Sequence, residues 1–199
     1  NNTKNEEISI FEREYDDAMT LPRYGQFLFD DEVTTYAPVD NAPVPDNYRV
    51  GVGDSLNILL YGTENSELEL IVDRNGNINF PKLGNLSVAG MTFGEIREYL
   101  TRRVLEQMIG VNVNVSMGRL RSINVFMAGE AKVPGNYSVS ALSTVSQMLF
   151  VAGGPTEIGS LRNIQVLESG NKKSTFDVYK LLTEGSTDGD IRLKSGDVV

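Results

Sequence analysis

The sequence contains no cysteine, no histidine and no tryptophan. Structural zinc sites in proteins need thiolate or imidazole ligands, so a site of that kind is excluded. Catalysis by a cysteine nucleophile, by a Ser-His-Asp triad or by a redox-active dithiol is excluded by the same absences. We predict no bound metal and no cofactor for this chain.

Basic side chains are also scarce: lysine and arginine number 18 against 27 aspartates and glutamates, a net charge of −9. Binding to nucleic acid or to an anionic membrane surface needs clustered cations, so both kinds of partner are disfavoured. The longest apolar runs hold only a few residues, whereas a membrane-spanning helix needs about 20. The sequence opens on Asn1 without a charged-then-apolar leader. We expect any signal peptide or membrane attachment to lie in segments outside it.

Residues 1–46 are predicted to form an N-terminal helix followed by a proline-rich extended arm. Thr3 and Glu6 have the spacing of a capping box, and a narrow apolar stripe follows at Ile8, Phe11 and Tyr15. This stripe has no evident partner in its own chain, so the helix is a candidate contact between subunits. From Thr20 to Asp46 the arm carries apolar anchors, which predicts that it wraps a neighbouring domain. The anchors are Tyr24, Phe27, Phe29 and Tyr36. The alternative is a tail that is ordered only by lattice contacts.

Residues 47–118 are predicted to form a first small domain. The alternation of apolar and polar residues predicts strands at Ser55–Tyr61, Leu68–Val72, Ile78–Phe80 and Val111–Met117. Asn75-Gly76 is predicted to be a hairpin turn between the second and third of these strands. Thr92 and Glu95 form a capping-box pattern at the start of a helix that ends at Gly110.

Residues 122–199 are predicted to form a second small domain, truncated at its C-terminus. Strands are predicted at 123–128, around Tyr137, and on either side of a Gly170-Asn171 hairpin, at 164–166 and 175–178. One helix buries Val145, Met148 and Leu149 and stops at Gly153-Gly154-Pro155, and a short one covers 179–182. The last residues are predicted to begin a strand with an unpaired edge near Val198. The fold class is α+β: two small mixed domains with an N-terminal helix and arm. No sequence repeat is predicted, because the periods of the two domains do not align.

Two motifs resemble ligand-binding loops but fail at defining positions. Gly51-Val-Gly53 has the spacing of a dinucleotide fingerprint, which also needs a glycine at Leu56 and a following helix. Asp73-Arg-Asn75 begins like a calcium loop, whose glycine and glutamate would fall at Ile78 and Gly84. Both motifs are therefore predicted to be turns.

No set of residues has the spacing of a catalytic site. Asp188 and Asp190 could hold a surface calcium ion, although acidic turns are far commoner than acidic metal sites. The glutamates are numerous, but their spacing does not differ from that of a solvated face, which is no basis for a glycosidase pair. Ser169 and Lys172 lie in a predicted hairpin rather than on the helix that an acylating Ser-Lys pair requires. We predict that the chain is not an enzyme.

Two series of motifs resemble a known family. The first runs through Tyr48–Asp54, Asn75–Gly84, Val88–Thr92 and Glu95–Leu100, and looks like the polysaccharide export domain of outer-membrane polysaccharide export proteins. The second runs through Val125–Tyr137, Ala152–Thr156 and Leu193–Val198, and resembles the soluble-ligand-binding β-grasp domain (SLBB) that follows it. The motif residues of the first series are Gly51, Gly53, Asp54, Asn75, Gly76, Pro81, Gly84, Gly90 and Thr92. Those of the second are Gly129, Pro134, Gly135, Gly153, Gly154, Gly196 and Asp197.

The resemblance implies a periplasmic protein associated with the outer membrane of a Gram-negative bacterium. Such proteins stack as homo-oligomeric rings and act with an inner-membrane polysaccharide co-polymerase to pass capsule or exopolysaccharide outward. The sequence departs from the family pattern in three respects, since it lacks the lipidation cysteine, a C-terminal amphipathic membrane segment and the closing strand of the second domain.

An alternative function is a glycan-binding or ligand-binding β-grasp module that senses or gates export. Sugar sites usually present exposed aromatic faces, for which Tyr61, Tyr137 and Tyr179 are the candidates. The competing interpretation is that each of these tyrosines is half-buried packing.

Overall fold

The computed structural model describes residues 23–29 and 43–199. The predicted N-terminal helix and the anchor Tyr36 lie outside these residues. The described part is α+β, as predicted, with antiparallel strand pairs and three α-helices. The strands are β1 Ser55–Gly62, β2 Ser66–Ile71, β3 Asn77–Phe80, β4 Gly84–Ser87, β5 Val111–Met117, β6 Ser122–Met127, β7 Gly135–Ser140, β8 Ile164–Glu168 and β9 Asn171–Phe176. The helices are α1 Phe93–Gln107, α2 Val145–Val151 and α3 Val178–Glu184, and Gln26–Phe29 forms a 3₁₀ turn.

Residues 43–118, called here the N-terminal unit, are built on the three-stranded antiparallel sheet β2-β1-β5. Side chains on successive residues of a strand point to opposite faces, so alternate residues of β1 share one face. On the inner face of β1, Leu56, Ile58 and Leu60 are buried, and α1 packs against the neighbouring strand β5. The helix buries Ile96, Leu100 and Val104 in the same core.

The capping box at the start of α1 is confirmed. The backbone N–H of Glu95 donates to the Thr92 hydroxyl at 3.3 Å, and the Glu95 carboxylate accepts the backbone N–H of Thr92 at 2.8 Å. These two bonds satisfy groups that the first turn of a helix otherwise leaves unpaired.

The prediction that Asn75-Gly76 forms a hairpin turn between two paired strands is wrong, because the strands on either side of it do not pair with each other. β2 pairs with β1, whereas β3 pairs with β4, so the turn carries the chain from one sheet to the other. Only Gly76 has a positive φ, at 81°, although the predicted hairpin turn needs positive φ at both central residues. Asp73 instead holds the turn, because its carboxylate accepts the backbone N–H groups of Asn75 and Asn77 at 2.8 and 2.9 Å.

Residues 122–199, called here the C-terminal unit, hold the hairpins β6-β7 and β8-β9. The last three residues lie between β6 and β8, parallel to the first and antiparallel to the second. Val198 exchanges two backbone hydrogen bonds with Leu167, at 2.8 and 3.0 Å, and Val199 donates to Phe126 at 2.9 Å. The predicted unpaired edge at Val198 is therefore wrong, since this segment is paired on both sides.

The β8-β9 hairpin is displaced by one residue from its predicted position. Its loop consists of Ser169 and Gly170, with φ values of 52° and 79°, and Asn171 already pairs with Glu168. Positive φ at both central residues is the geometry that keeps the strand twist continuous in a two-residue hairpin.

The described part of the arm, residues 23–29, packs on the C-terminal unit as predicted. Gln26 is buried and its amide nitrogen donates to the Pro155 carbonyl at 3.1 Å. Phe29 is buried with its ring centroid 5.3 Å from that of Phe150. Phe27, in contrast, is largely exposed and does not anchor the arm. α2 buries Val145, Met148 and Leu149 beneath this contact, as its sequence predicts.

Candidate functional site

The turn before β1 holds a buried carboxylate that is fully hydrogen-bonded. Asp54 is 0% exposed. Its carboxylate accepts a hydrogen bond from the backbone N–H of Gly51 at 2.8 Å. The Tyr48 hydroxyl also donates to it and lies 3.0 Å from each of its two oxygens. A buried charge is tolerated when it is paired and hydrogen-bonded in this way. Burial, and then the neighbouring charge of Asp54, raises the pKa of the Tyr48 hydroxyl far above its ordinary value, so Tyr48 stays a donor.

Arg121 connects this carboxylate to the C-terminal unit. Its backbone N–H donates to Asp54 at 2.7 Å and its guanidinium also bonds Asp54. The same guanidinium donates to the Tyr48 hydroxyl at 3.0 Å and lies over the Tyr48 ring. Because Arg121 immediately precedes β6, the network fixes the point where one unit passes into the other. Sequence reasoning identified Asp54 as a motif residue but missed both Tyr48 and Arg121 as its partners.

A second turn of the same kind precedes the last strand segment. Asp197 is 1% exposed and accepts the backbone N–H of Lys194 at 2.8 Å, as Asp54 accepts that of Gly51. The Lys173 ammonium bonds the same carboxylate oxygen at 2.8 Å. The other oxygen of Asp197 is buried without a hydrogen-bond partner in the described part of the chain.

The two turns belong to segments that align without a gap, Tyr48–Leu56 and Ile191–Val199. They share the arginine at the second position, an apolar third residue and the Gly-Asp pair. Gly53 and Gly196 both adopt positive φ, at 93° and 89°. In L-residues that region is strained by the β-carbon, which explains a glycine before each aspartate.

Each aligned segment also contacts the start of a helix in the same way. Arg49 forms an antiparallel bridge with Thr92, the N-cap of α1, and Arg192 forms one with Thr144, the N-cap of α2. The segment comes before its helix in the N-terminal unit and after it in the C-terminal unit. The two units therefore contain one local arrangement in opposite chain order, a correspondence that was not predicted from the sequence.

The remaining motif residues lie in separate turns and do not converge on one site. Gly76, Gly84, Gly90, Gly129, Gly135, Gly153 and Gly154 all have positive φ. Asn75 lies in the turn after β2, Pro81 lies between β3 and β4, and Pro134 immediately precedes β7. These glycines and prolines thus set the backbone geometry of the turns in which they lie.

The three candidate tyrosines have different surroundings. The Tyr137 hydroxyl donates to the Val133 carbonyl at 2.7 Å, and its ring is half-buried. Tyr179 is half-buried with the Tyr24 ring 5.5 Å away and the Arg162 guanidinium over its own ring. Tyr61 is 48% exposed near the end of β1. Tyr61 is therefore the one exposed side chain among the three.

A groove of about 330 Å³ lies at the end of the last strand segment in the C-terminal unit. Gly129, Pro155, Gln165 and Val199 are among its lining residues.

Across residues 23–29 and 43–199, no three acidic side chains are arranged to hold a metal ion. Over the same residues, no helix has the length and apolarity needed to cross a membrane.

Comparison with known proteins gives a family match for the first of the two series of motifs. Residues 42–118 match the family described as "Polysaccharide biosynthesis/export protein". The chain is 31% identical over 177 residues to the EPS I polysaccharide export outer membrane protein EpsA of Ralstonia nicotianae, covering 76% of this chain and 46% of that protein. It is 31% identical over 143 residues to the polysialic acid transport protein KpsD of Escherichia coli, covering 71% of this chain and 25% of that protein. It is 25% identical over 123 residues to the exopolysaccharide production protein ExoF of Rhizobium meliloti, covering 55% of this chain and 28% of that protein. The chain thus spans less than half the length of each of these relatives.

Proposed function

We propose that this chain, which belongs to the polysaccharide biosynthesis/export family through residues 42–118, is a non-enzymatic part of a machine that exports capsular or extracellular polysaccharide. It acts in the periplasm at the outer membrane, as part of a ring or conduit through which the polymer passes. Its partners are further copies of itself, the transported polysaccharide and an inner-membrane polysaccharide co-polymerase. The observation that carries the proposal is the family match, supported by relatives that are named for polysaccharide export or transport.

We further propose that the chain is divided into an arm at 1–46, an export domain at 47–118 and a β-grasp domain at 122–199. The hydrogen-bonded sheets support this division, because no strand of β1–β5 pairs with a strand of β6–β9. The network of Asp54 and Arg121 supports a fixed orientation between the two domains. A conduit wall benefits from such rigidity, since its shape must persist while polymer moves past it.

Exposed apolar side chains on α1 and just after it support contact between copies. Leu105 and Ile109 are mostly exposed, and the adjoining surface of the helix carries Arg97 and Arg102. A head-to-tail contact that uses two different surfaces of each copy closes into a ring when the rotation between copies permits it.

The groove near Gly129 supports the second candidate function, a β-grasp module that binds a ligand and gates export.

The test is deletion of the encoding gene, with extracellular polysaccharide and polymer retained in the periplasm both measured. The proposal expects loss of extracellular polymer, periplasmic retention, and recovery when the gene is restored. Unchanged export after deletion would refute the proposed function. Light scattering of the purified chain tests the ring separately, because a discrete high-order mass supports it and a monomer at all concentrations contradicts it for this chain.

A further inference from the structure

The outer face of the sheet β2-β1-β5 is the side that α1 does not cover. Alternation along each strand assigns ten side chains to this face, and the nine of them other than the buried Ser55 are called here the amide face. Its residues are Asn57, Leu59 and Tyr61 on β1, Glu67, Glu69 and Ile71 on β2, and Asn112, Asn114 and Ser116 on β5. All of them except the half-buried Asn57 are exposed.

Apolar side chains lie next to amide side chains across this face. Leu59 lies directly between Glu67 and Asn114, and Tyr61 lies directly opposite Asn112. Residues directly opposite each other in antiparallel strands have their β-carbons about 5 Å apart, so these side chains form one continuous surface. A tyrosine ring in such a setting offers a rigid apolar face together with a hydroxyl group.

The amides of this surface are available for hydrogen bonding. The side chains of Asn112 and Asn114 make no hydrogen bond with another group in the described residues. Each amide can donate through its nitrogen and accept through its oxygen. A sugar ring presents hydroxyl groups that do both at its rim and C–H groups on its faces. The amide face therefore matches a sugar chain in both hydrogen bonding and apolar contact.

The charges of this face restrict which sugar chain it fits. Its charged side chains are Glu67 and Glu69, and the Arg119 guanidinium lies 3.6 Å from Glu69 at the edge. Arg119 is 82% exposed and partly offsets one of the two negative charges. An acidic surface of this kind disfavours a polyanion, while the amides need no charge on their partner.

We infer that the amide face binds an uncharged, polyhydroxylated sugar chain, with Tyr61 as the residue on which a sugar ring packs. The inference rests on the proposed function, because export supplies a polysaccharide that passes this surface. The face is open and water-exposed, so binding is weak, with a dissociation constant of about 1 mM or higher. Weak contact suits a surface along which polymer must move.

The experiment is a titration of the ¹⁵N-labelled full chain with maltoheptaose as a neutral probe, chitohexaose as a neutral acetylated probe and an oligogalacturonate as an anionic one. The expected result is that a neutral probe shifts the backbone amide signals of β1 and β5 around Tyr61 and Asn112 more than the anionic probe does. Tyr61→Ala weakens that response about tenfold. Tyr24→Ala is the matched control, since Tyr24 is 52% exposed but lies on the C-terminal unit, and it leaves the response unchanged. Asn114→Ala provides a second variant on the same face, which checks the result if Tyr61→Ala perturbs the sheet.

Three outcomes would overturn the inference. One is that no neutral probe at tens of millimolar shifts the backbone amide signals of residues on the amide face. Another is that the shifted signals belong to residues around the groove near Gly129. The third is that the face responds to protein concentration without any sugar, which identifies a second copy of the chain as its occupant. These outcomes are separate from failure of the proposed function, which is decided by export in the deletion strain. Lost export together with an unresponsive amide face refutes the inference alone.

Discussion

Asp54 and Asp197 close turns of the same geometry, but among residues 23–29 and 43–199 only Asp54 finds a donor for each carboxylate oxygen. The difference follows from the aligned segments, because Ile191 occupies the position that Tyr48 occupies before Asp54. The first carboxylate gains a hydroxyl donor from Tyr48 and a backbone donor from Arg121. The second has the backbone of Lys194 and the ammonium of Lys173, both on one oxygen. The same turn is therefore held by donors to both carboxylate oxygens in one unit, and by one backbone donor and one ion pair in the other.

The Arg121 guanidinium is predicted to stabilise the chain through Asp54. Replacing Arg121 with Met removes a charged hydrogen bond to a buried carboxylate, which lowers the free energy of unfolding by about 2–3 kcal/mol. The backbone N–H of residue 121 and the Tyr48 hydroxyl remain as donors, which limits the loss. Urea unfolding measures the change. Arg119→Met is the control, because Arg119 is exposed and only approaches Glu69, and we expect a change within about 0.5 kcal/mol.

Lys173→Met is predicted to cost more than Arg121→Met. It leaves Asp197 buried with one backbone donor, and uncompensated buried charges of this kind cost about 3–5 kcal/mol. The neighbouring Lys172 is exposed on the same strand, so Lys172→Met controls for the loss of a positive charge. Equal losses for Lys173→Met and Lys172→Met in urea unfolding would show that the ion pair with Asp197 contributes nothing.

Local signals in the sequence predict the parts of this fold that local physics determines. The capping box of Thr92 and Glu95 and the apolar stripe of α1 predict that helix, because both depend on neighbours three or four residues apart. The partner of Asp54 could not be predicted in this way, since Arg121 is distant in the chain and nothing in its own neighbourhood identifies it. One signal for the second turn was present, namely the gap-free match of Tyr48–Leu56 to Ile191–Val199.

The wrong predictions concern strand pairing, which depends on long-range contacts. The Asn75-Gly76 pair favours a hairpin, but β1 takes β2 as its partner and the Asp73 carboxylate stabilises a different turn. The segment ending at Val199 reads as an edge, yet it is inserted between β6 and β8. The exposure of Tyr61 on an uncovered sheet face likewise depends on which side α1 packs.

Glu95 is predicted to make the stability of the chain depend on pH. The backbone N–H of Thr92, which donates to its carboxylate, holds the pKa of Glu95 below the ordinary value of 4.5. A depressed folded-state pKa stabilises the fold above the ordinary value, and this contribution is lost as the pH falls through the folded-state pKa. The Glu95→Gln side chain cannot ionise. The difference in free energy of unfolding between this variant and the native chain should therefore be constant near neutral pH, and it should disappear as the pH falls below 4.5. Urea unfolding at each pH measures the difference, and Glu98→Gln on the exposed surface of the same helix is the control for the loss of a negative charge.

Gly154 is predicted to be essential for docking of the arm, and Gly153 provides the matched control. Both residues have positive φ, at 78° and 76°, so an alanine at either position costs about 1–2 kcal/mol in backbone strain. A β-carbon at 154 would also lie 2.2 Å from Cγ of Phe29, whereas one at 153 meets nothing closer than 3.7 Å. Gly154→Ala should therefore displace Phe29 from its contact with Phe150 and expose the arm, in addition to the strain that both variants share.

Limited proteolysis with chymotrypsin measures the exposure of the arm directly, because cleavage at Phe27 and Phe29 should accelerate in Gly154→Ala and stay near the native rate in Gly153→Ala. Equal cleavage in the two variants would mean that the arm is held by its other contacts, such as that of Gln26 with Pro155, and not by the space that Gly154 leaves for Phe29.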